Sequence, residues 1–264
     1  MKKLLTLGVF ALLAAGGCAT SQAIKTAESP AEKLYLIGEK RYENQDYSGA
    51  IERWNNLRNN YPYSRFAVRA DLRIADAYFG KEEWSTAAEQ YRSFVKLHPE
   101  HPKVPYARFR VGKSVYKKMP KNWFFQPPAY ERDLSSTESA VQELQRFLRR
   151  FPKSKYAPKA RKMLREAKRR LADHEMYVAN FYLDRKNARG AMMRLKYLLN
   201  NYSGLGLDAK ALYLLAVSYL QLGDVKKART ALDDLIEYHP DSKYADKAKQ
   251  YIDKHGGGGS ESSG

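Results

Sequence analysis

The chain has 264 residues, with 47 Lys plus Arg against 29 Asp plus Glu, a formal net charge of +18. An apolar fraction of 44% with 12% aromatics excludes wholesale disorder, and the single cysteine, Cys18, excludes both an internal disulfide framework and a cysteine-rich zinc or iron–sulfur centre. The length allows one or two ordinary domains or one elongated repeat array, and the five scattered histidines leave little for metal chemistry.

Met1-Lys2-Lys3 is a short positive start, followed by an apolar stretch from Leu4 to Ala15 and the small residues Gly16 and Gly17. This is the layout of a secretory signal peptide, expected over residues 1–17, and it falls short of the roughly 20 apolar residues that a spanning helix needs. Cys18 stands where cleavage would occur. Ala15-Gly16-Gly17-Cys18 resembles a lipobox, with Ala15 in place of the usual Leu. Cys18 is therefore the expected lipidation site, where more than one acyl chain gives a stable anchor. Ala19 rather than Asp resembles an outer-membrane address. A mature chain at the periplasmic face of the outer membrane meets no chromosomal DNA, so nucleic acid is not an expected partner despite the charge.

Residues 18–31, ending at Ser29-Pro30, read as a lipidated tether. From there the apolar periodicity is helical throughout. Pro62, Pro99, Pro152 and Pro240 end successive units, with Ser203 in the same place in one unit, at intervals of 37, 53, 51 and 37. An aromatic or His precedes each: Tyr61, His98, Phe151, Tyr202 and His239. Twelve residues before each stands Ala50, Ala87, Ala140, Ala191 or Ala228, and eight before stands Trp54, Tyr91, Leu144, Leu195 or Leu232. Gly38, Ala75, Gly112, Ala179 and Ala216 supply a small residue in each first helix. Two antiparallel helices cross closely where that small residue meets the alanine, and the proline stops the second helix.

This pattern resembles the tetratricopeptide repeat. The expected fold is all-α: a superhelix of five helix pairs, with repeats one to three over 32–153 and a linking helix plus repeats four and five over 154–254. Two intervals exceed the period. An insertion near 117–137, containing Trp123-Phe124-Phe125-Gln126-Pro127-Pro128, falls in the third repeat, and an additional helical segment from Ser154 to Leu171 precedes or runs into the helix at Met176–Leu183. Residues 255–264 read as a flexible tail.

No catalytic constellation emerges, so the chain is not expected to be an enzyme and needs no cofactor. His98-Pro99-Glu100-His101 reads as a turn, His174-Glu175 lacks the second His of a zinc-protease helix, and Gly204-Leu205-Gly206 lacks the strand that a dinucleotide loop requires. In repeat arrays the first helices line a groove. Tyr35, Tyr42, Phe79, Phe109 and Tyr116, with Leu72, Tyr106, Arg69 and Lys113 alongside, form a candidate groove for an extended peptide with aromatic side chains or a terminal carboxylate. From Arg146 to Arg170 there are twelve Lys or Arg and one acid, a basic stretch suited to an acidic protein surface or membrane phosphates.

Several local strings are more specific. Tyr61-Pro62-Tyr63-Ser64, His98-Pro99-Glu100-His101-Pro102 with Tyr106 and Gly112, Phe124-Phe125 with Arg132-Asp133, and His174-Glu175-Met176-Tyr177-Val178-Ala179-Asn180-Phe181-Tyr182 resemble the BamD family across nearly all of residues 30–254. These are the tetratricopeptide lipoproteins of the outer-membrane β-barrel assembly machinery. Leu134 and Ser203 replace prolines common there. The resemblance implies a scaffold that binds the periplasmic POTRA region of the central barrel assembly protein, other assembly lipoproteins and unfolded outer-membrane proteins. By matching position it implies Arg194, then Arg185, as partner-binding residues, and substrate targeting signals as the groove's ligand. The alternative function on the same fold is a periplasmic adaptor for peptidoglycan or cell-division enzymes.

Overall fold

A computed structural model describes residues 14–120 and 128–255. The described residues are all-α, as the periodicity requires, and contain no strand. Helix α1 (Ala14–Lys25) precedes the pairs α2 (Pro30–Glu43) with α3 (Tyr47–Asn60), α4 (Arg65–Gly80) with α5 (Trp84–Leu97), and α6 (Val104–Lys118) with α7 (Ser135–Arg150). Next come α8 (Ala157–Asp184) with α9 (Ala188–Tyr202), α10 (Asp208–Gln221) with α11 (Val225–Tyr238), and a last helix α12 (Lys243–His255).

Each boundary has a local cause. Ser29 caps α2, its hydroxyl accepting from Glu32 N at 3.1 Å, while Pro30 supplies a preset φ at the first helical position. Asp46, Asn187 and Asp224 cap α3, α9 and α11 in the same way. The turn inside four of the pairs places one residue in the left-handed region: Gln45 (φ 61°), Glu82 (φ 61°), Lys186 (φ 57°) and Gly223 (φ 77°). Only α6 and α7 are joined differently, by the insertion. The second helices end where Tyr61, His98, Phe151 and His239 each donate a backbone N–H one turn back, just before the marker prolines. Where Ser203 replaces proline, Gly204 (φ 74°) turns the chain instead, and its N–H donates to the Asp208 carboxylate at 3.0 Å.

The sequence reading and the structure differ at two places, in α1 and α12, and the structure decides between two alternatives in α8. The tether expectation over 18–31 meets α1, because Ala14–Lys25 holds no proline and only two glycines, and Thr20 donates its hydroxyl to Glu43. The extra helical segment and the first helix of the fourth pair are one continuous helix of 28 residues, since nothing between Leu171 and Met176 breaks it. Helix α12, not distinguished in the sequence, buries Ala245 and Ala248. Residues 1–13 of the expected signal peptide, Lys121–Pro127 of the insertion and the tail beyond His255 lie outside the described residues.

The chain divides into two compact units. The first comprises residues up to Lys118 with Glu143–Ala160; the second comprises Met119–Gln142 with Arg161 onward. The first has two apolar clusters. Trp54, Leu57, Phe66, Ala70 and Ile74 form one, and Tyr91, Phe94, Ala87, Ala107 and Val111 the other. Trp54 is fully buried and donates Nε1–H to the Tyr35 carbonyl at 3.2 Å. The second unit's core is Ala179, Ala191, Leu195, Leu198, Ala216, Leu232 and Leu235, the positions that the repeat alignment selects. Each fully buried leucine or aromatic contributes roughly 1.5–3 kcal/mol.

Candidate functional site

The 37-residue period writes a charge ladder into the first unit. One register places Arg73 on α4 and Arg110 on α6; three residues later it places Glu39, Asp76 and Lys113 on successive first helices. Arg73 reaches back one pair and donates Nε–H and Nη2–H to the two Glu39 oxygens at 2.6 and 2.8 Å, a bidentate fork. Arg110 Nη2 lies 3.6 Å from Asp76 in the same sense. Asp76 is only 6% exposed, and accepts from the Tyr91 hydroxyl at 2.5 Å and the Tyr106 hydroxyl at 2.6 Å. Burial together with the Asp76 charge pushes both phenols well above their ordinary range, so they remain donors.

The ladder's third rung reverses sign. Lys113 stands where Glu39 and Asp76 precede it. Burial, with Arg110, Lys159 and Lys117 nearby, lowers its ammonium from 10.5 to about 8. The Arg110 Nε–H is buried without a hydrogen-bond partner. This end of the ladder is a cationic cluster over an aromatic floor: Arg110 lies 3.8 Å from the Phe79 ring centroid and Lys113 lies 4.8 Å from it. It can take an anion.

The groove residues expected from sequence are placed unequally. Phe79 is half-buried beneath Arg110 and Lys113, edge-on to Trp84 at 4.7 Å. Tyr42 is half-buried below Arg73, whose guanidinium sits 4.1 Å from its ring. Tyr35 packs on Phe66 at 5.6 Å and Tyr116 is half-buried near the end of α6. Phe109 departs from the expectation. It is 4% exposed and stacks on Tyr156 at 5.1 Å, because its position on α6 faces the C-terminal end of α7 rather than the open side. Arg69 is exposed beside Phe66, apart from the ladder. The residues that sequence reasoning missed are Glu39, Arg73, Asp76 and Arg110, and their signal was the recurrence of charge at the repeat interval.

Arg194 and Arg185 lie in the second unit. Arg194, on α9, makes one long contact, its Nη1 3.4 Å from Glu175, and its side chain is 45% exposed. Its other N–H groups can engage a second carboxylate. Arg185 follows α8 and lies 3.6 Å over the Phe181 ring. Tyr177, Phe181, Met193 and Tyr197 are exposed on the same two helices, an aromatic surface of the kind found at protein interfaces. Beneath Arg194 a cavity of about 300 Å³ is lined by Arg132, His174, Glu175, Tyr197 and Tyr202. His174 Nδ1 meets the Tyr130 carbonyl at 2.5 Å and Arg170 donates to the Pro120 carbonyl, so α8 fastens both ends of the insertion that frame the undescribed segment.

Cys18 falls within α1. No described helix is long and apolar enough to cross a membrane, and no group of three or more His, Cys, Asp or Glu among the described residues is placed to hold a metal ion.

Residues 27–233 match the family model YfiO, described as outer membrane lipoprotein. Among curated relatives, the outer membrane protein assembly factor BamD of Neisseria meningitidis serogroup A is 28% identical over 95% of this chain and 96% of its own. Those of Rickettsia prowazekii and Vibrio cholerae are each 25% identical, over 96% and 82% of this chain and 97% and 90% of theirs. Solved structures with similarity include the TPR2AB domain of yeast Sti1 in complex with pHSP90, 16% identical with a TM-score of 0.41 over 86% of this chain and 85% of that one. YrrB, a TPR protein with an unusual peptide-binding site, is 18% identical with a TM-score of 0.35 over 88% and 98%.

Proposed function

The chain belongs to the YfiO family of outer membrane lipoproteins, and on that membership we propose that it is an assembly factor for outer-membrane proteins, held at the periplasmic face by lipid on Cys18. The observation that carries this reading is the match over residues 27–233 together with near full-length similarity to assembly factors named BamD. The chain acts as a scaffold with two working surfaces. In the second unit, Arg194, with Arg185 and the exposed Tyr177–Phe181 face, docks the POTRA region of the central barrel protein; other assembly lipoproteins join the same complex. Half-exposed aromatics supply area, and an arginine with spare donors supplies orientation by forking onto a carboxylate.

In the first unit the ladder end at Lys113 and Arg110, over Phe79, receives the targeting signal of an unfolded outer-membrane protein. A cationic cluster beside an aromatic ring suits a chain end that carries both a carboxylate and an aromatic side chain. No part of this function requires bond chemistry.

Affinity purification of the tagged chain from detergent-solubilised envelopes tests the reading. A β-barrel protein with periplasmic repeats, recovered in roughly equal amount, is expected. Recovery of cell-wall enzymes in its place would move the function to the adaptor alternative. Arg194→Glu is expected to abolish the barrel partner's recovery while leaving the circular dichroism spectrum intact; undiminished recovery removes Arg194 from the interface.

A further inference from the structure

The repeat interval that builds the charge ladder also exposes a substitution on another face of the first unit. At the junction of the first two helix pairs, Asp71 of α4 sits between a guanidinium and an imidazole. Arg58 Nε of α3 is 2.7 Å away and His98 Nε2, just past α5, is 2.8 Å away. Advancing each position by one repeat gives Val95 for Arg58, Arg108 for Asp71 and Phe151 for His98. The carboxylate has become a guanidinium, and its arginine and histidine partners have both become apolar. These three residues line one cavity of about 500 Å³, together with Val104, Phe147, Arg146 and Arg150. Among the described residues no carboxylate lies within ion-pairing distance of Arg108 or Arg150, and Arg146 is held by Glu143 at 3.0 Å.

We infer that this cavity is a docking site for an acidic, apolar-flanked peptide segment of a partner protein, whose carboxylate pairs with Arg108 and Arg150 as Asp71 pairs with Arg58 one repeat earlier. The two junctions are complementary in chemistry. The earlier one is closed by an internal acid, whereas the later one presents arginines around a floor of Val95, Phe147 and Phe151, and its one lining acid, Glu100, lies outside ion-pairing distance of Arg108 and Arg150. An apolar floor accommodates the residues beside the acid, which a bare phosphate would leave unfilled. Glu100 also lines the cavity, and its charge disfavours a doubly charged headgroup. A forked guanidinium matches a planar carboxylate at two points, so the site selects for charge and for geometry. This cavity shares no lining residue with the ladder or with the cavity at Arg194, so its test does not depend on either.

The probe is a fluorescein-labelled, end-capped octapeptide alternating Asp and Leu, titrated by anisotropy against the full chain in nonionic detergent, with the Asn–Leu analogue as its uncharged control. The Asp peptide is expected to bind at least tenfold more tightly than the Asn peptide. Arg108→Gln and Arg150→Gln are each expected to weaken it at least tenfold. Arg149→Gln, which removes the same charge from an exposed position outside the cavity, is expected to change it less than twofold. Equal binding of the two peptides, no binding of either, or equal losses in all three variants overturns the site. Vesicles of phosphatidylglycerol run in parallel; binding to these alone, lost in Arg108→Gln, would assign the arginines to lipid phosphate and overturn the peptide proposal.

Discussion

Asp76 is the residue on which the first unit's polar interior turns. It is 8% exposed at its side chain, between Arg73 (23%) and Arg110 (15%), and both tyrosine hydroxyls donate to one of its oxygens. Asp76→Ala removes two charge-assisted hydrogen bonds, worth about 1.5–3 kcal/mol each, and strands the fully buried Tyr91 hydroxyl. Arg73 retains its fork to Glu39, but Arg110 loses its carboxylate and becomes a buried charge without a counter-ion. Breaking a buried pair from one side costs about 3–5 kcal/mol, and that range is the expected loss, because the hydrogen-bond and charge terms overlap rather than add. Tyr91→Phe alone should cost about 1.5–3 kcal/mol. The double variant should fall short of the sum by at least about 1 kcal/mol, since the phenol has nothing to donate to once the acid is gone. Urea unfolding followed by circular dichroism gives the total, and amide exchange in α4, α5 and α6 localises it. A loss under about 1 kcal/mol for Asp76→Ala, or strict additivity in the cycle, would refute the account of Asp76 as the node that neutralises Arg110.

A Cβ added at Gly38 would lie 2.3 Å from Trp54 Nε1, inside a fully buried ring that is already hydrogen-bonded, whereas one added at Gly112 would lie 2.9 Å from the Leu144 Cδ2 methyl, the far end of a flexible side chain. Gly38→Ala should therefore lose about 1–2 kcal/mol net, overpacking outweighing the roughly 1 kcal/mol gained in helix propensity, and Gly112→Ala should stay within about 0.5 kcal/mol of wild type; equal effects in urea unfolding would contradict this. Lys113 is lowered from 10.5 to about 8, so the folded chain binds fewer protons than the unfolded chain between those values and its stability rises with pH across that window. Lys113→Met should accordingly be more stable than wild type at pH 7, with the difference shrinking towards pH 10; a constant difference would refute the assignment. If the ladder end takes a carboxylate, affinity for a peptide ending in an aromatic residue should fall as pH rises through about 8, and NMR of the Lys113 side chain should show its titration moving up when the peptide is bound.

The legible and illegible parts of this chain follow from what a repeat makes visible. Small residues, bulky residues and prolines recur because every pair must solve the same packing problem, and Ala50, Ala87, Ala140, Ala191 and Ala228 are all buried as that logic requires. The continuity of α8 was open in the sequence because its two apolar stripes could be joined or broken, and only the absence of a breaker between Leu171 and Met176 favours joining. Phe109 leaves the groove because an aromatic at a groove register is indistinguishable in sequence from one whose helix turns it onto Tyr156. The charges are hard to read for the opposite reason. A repeat conserves apolar positions to keep its fold, but a charged residue at the same interval pairs with the next unit, so its meaning lies in the difference between neighbours. Glu39, Asp76 and Lys113 become a site only when compared, because two acids serve the fold and the lysine that follows them has no internal acid to serve. Asp71 and Arg108 carry the same argument on another face. In a repeat array, the rung that breaks the pattern is where the fold's own needs stop determining the residue, and both departures in the first unit leave positive charge exposed to a partner.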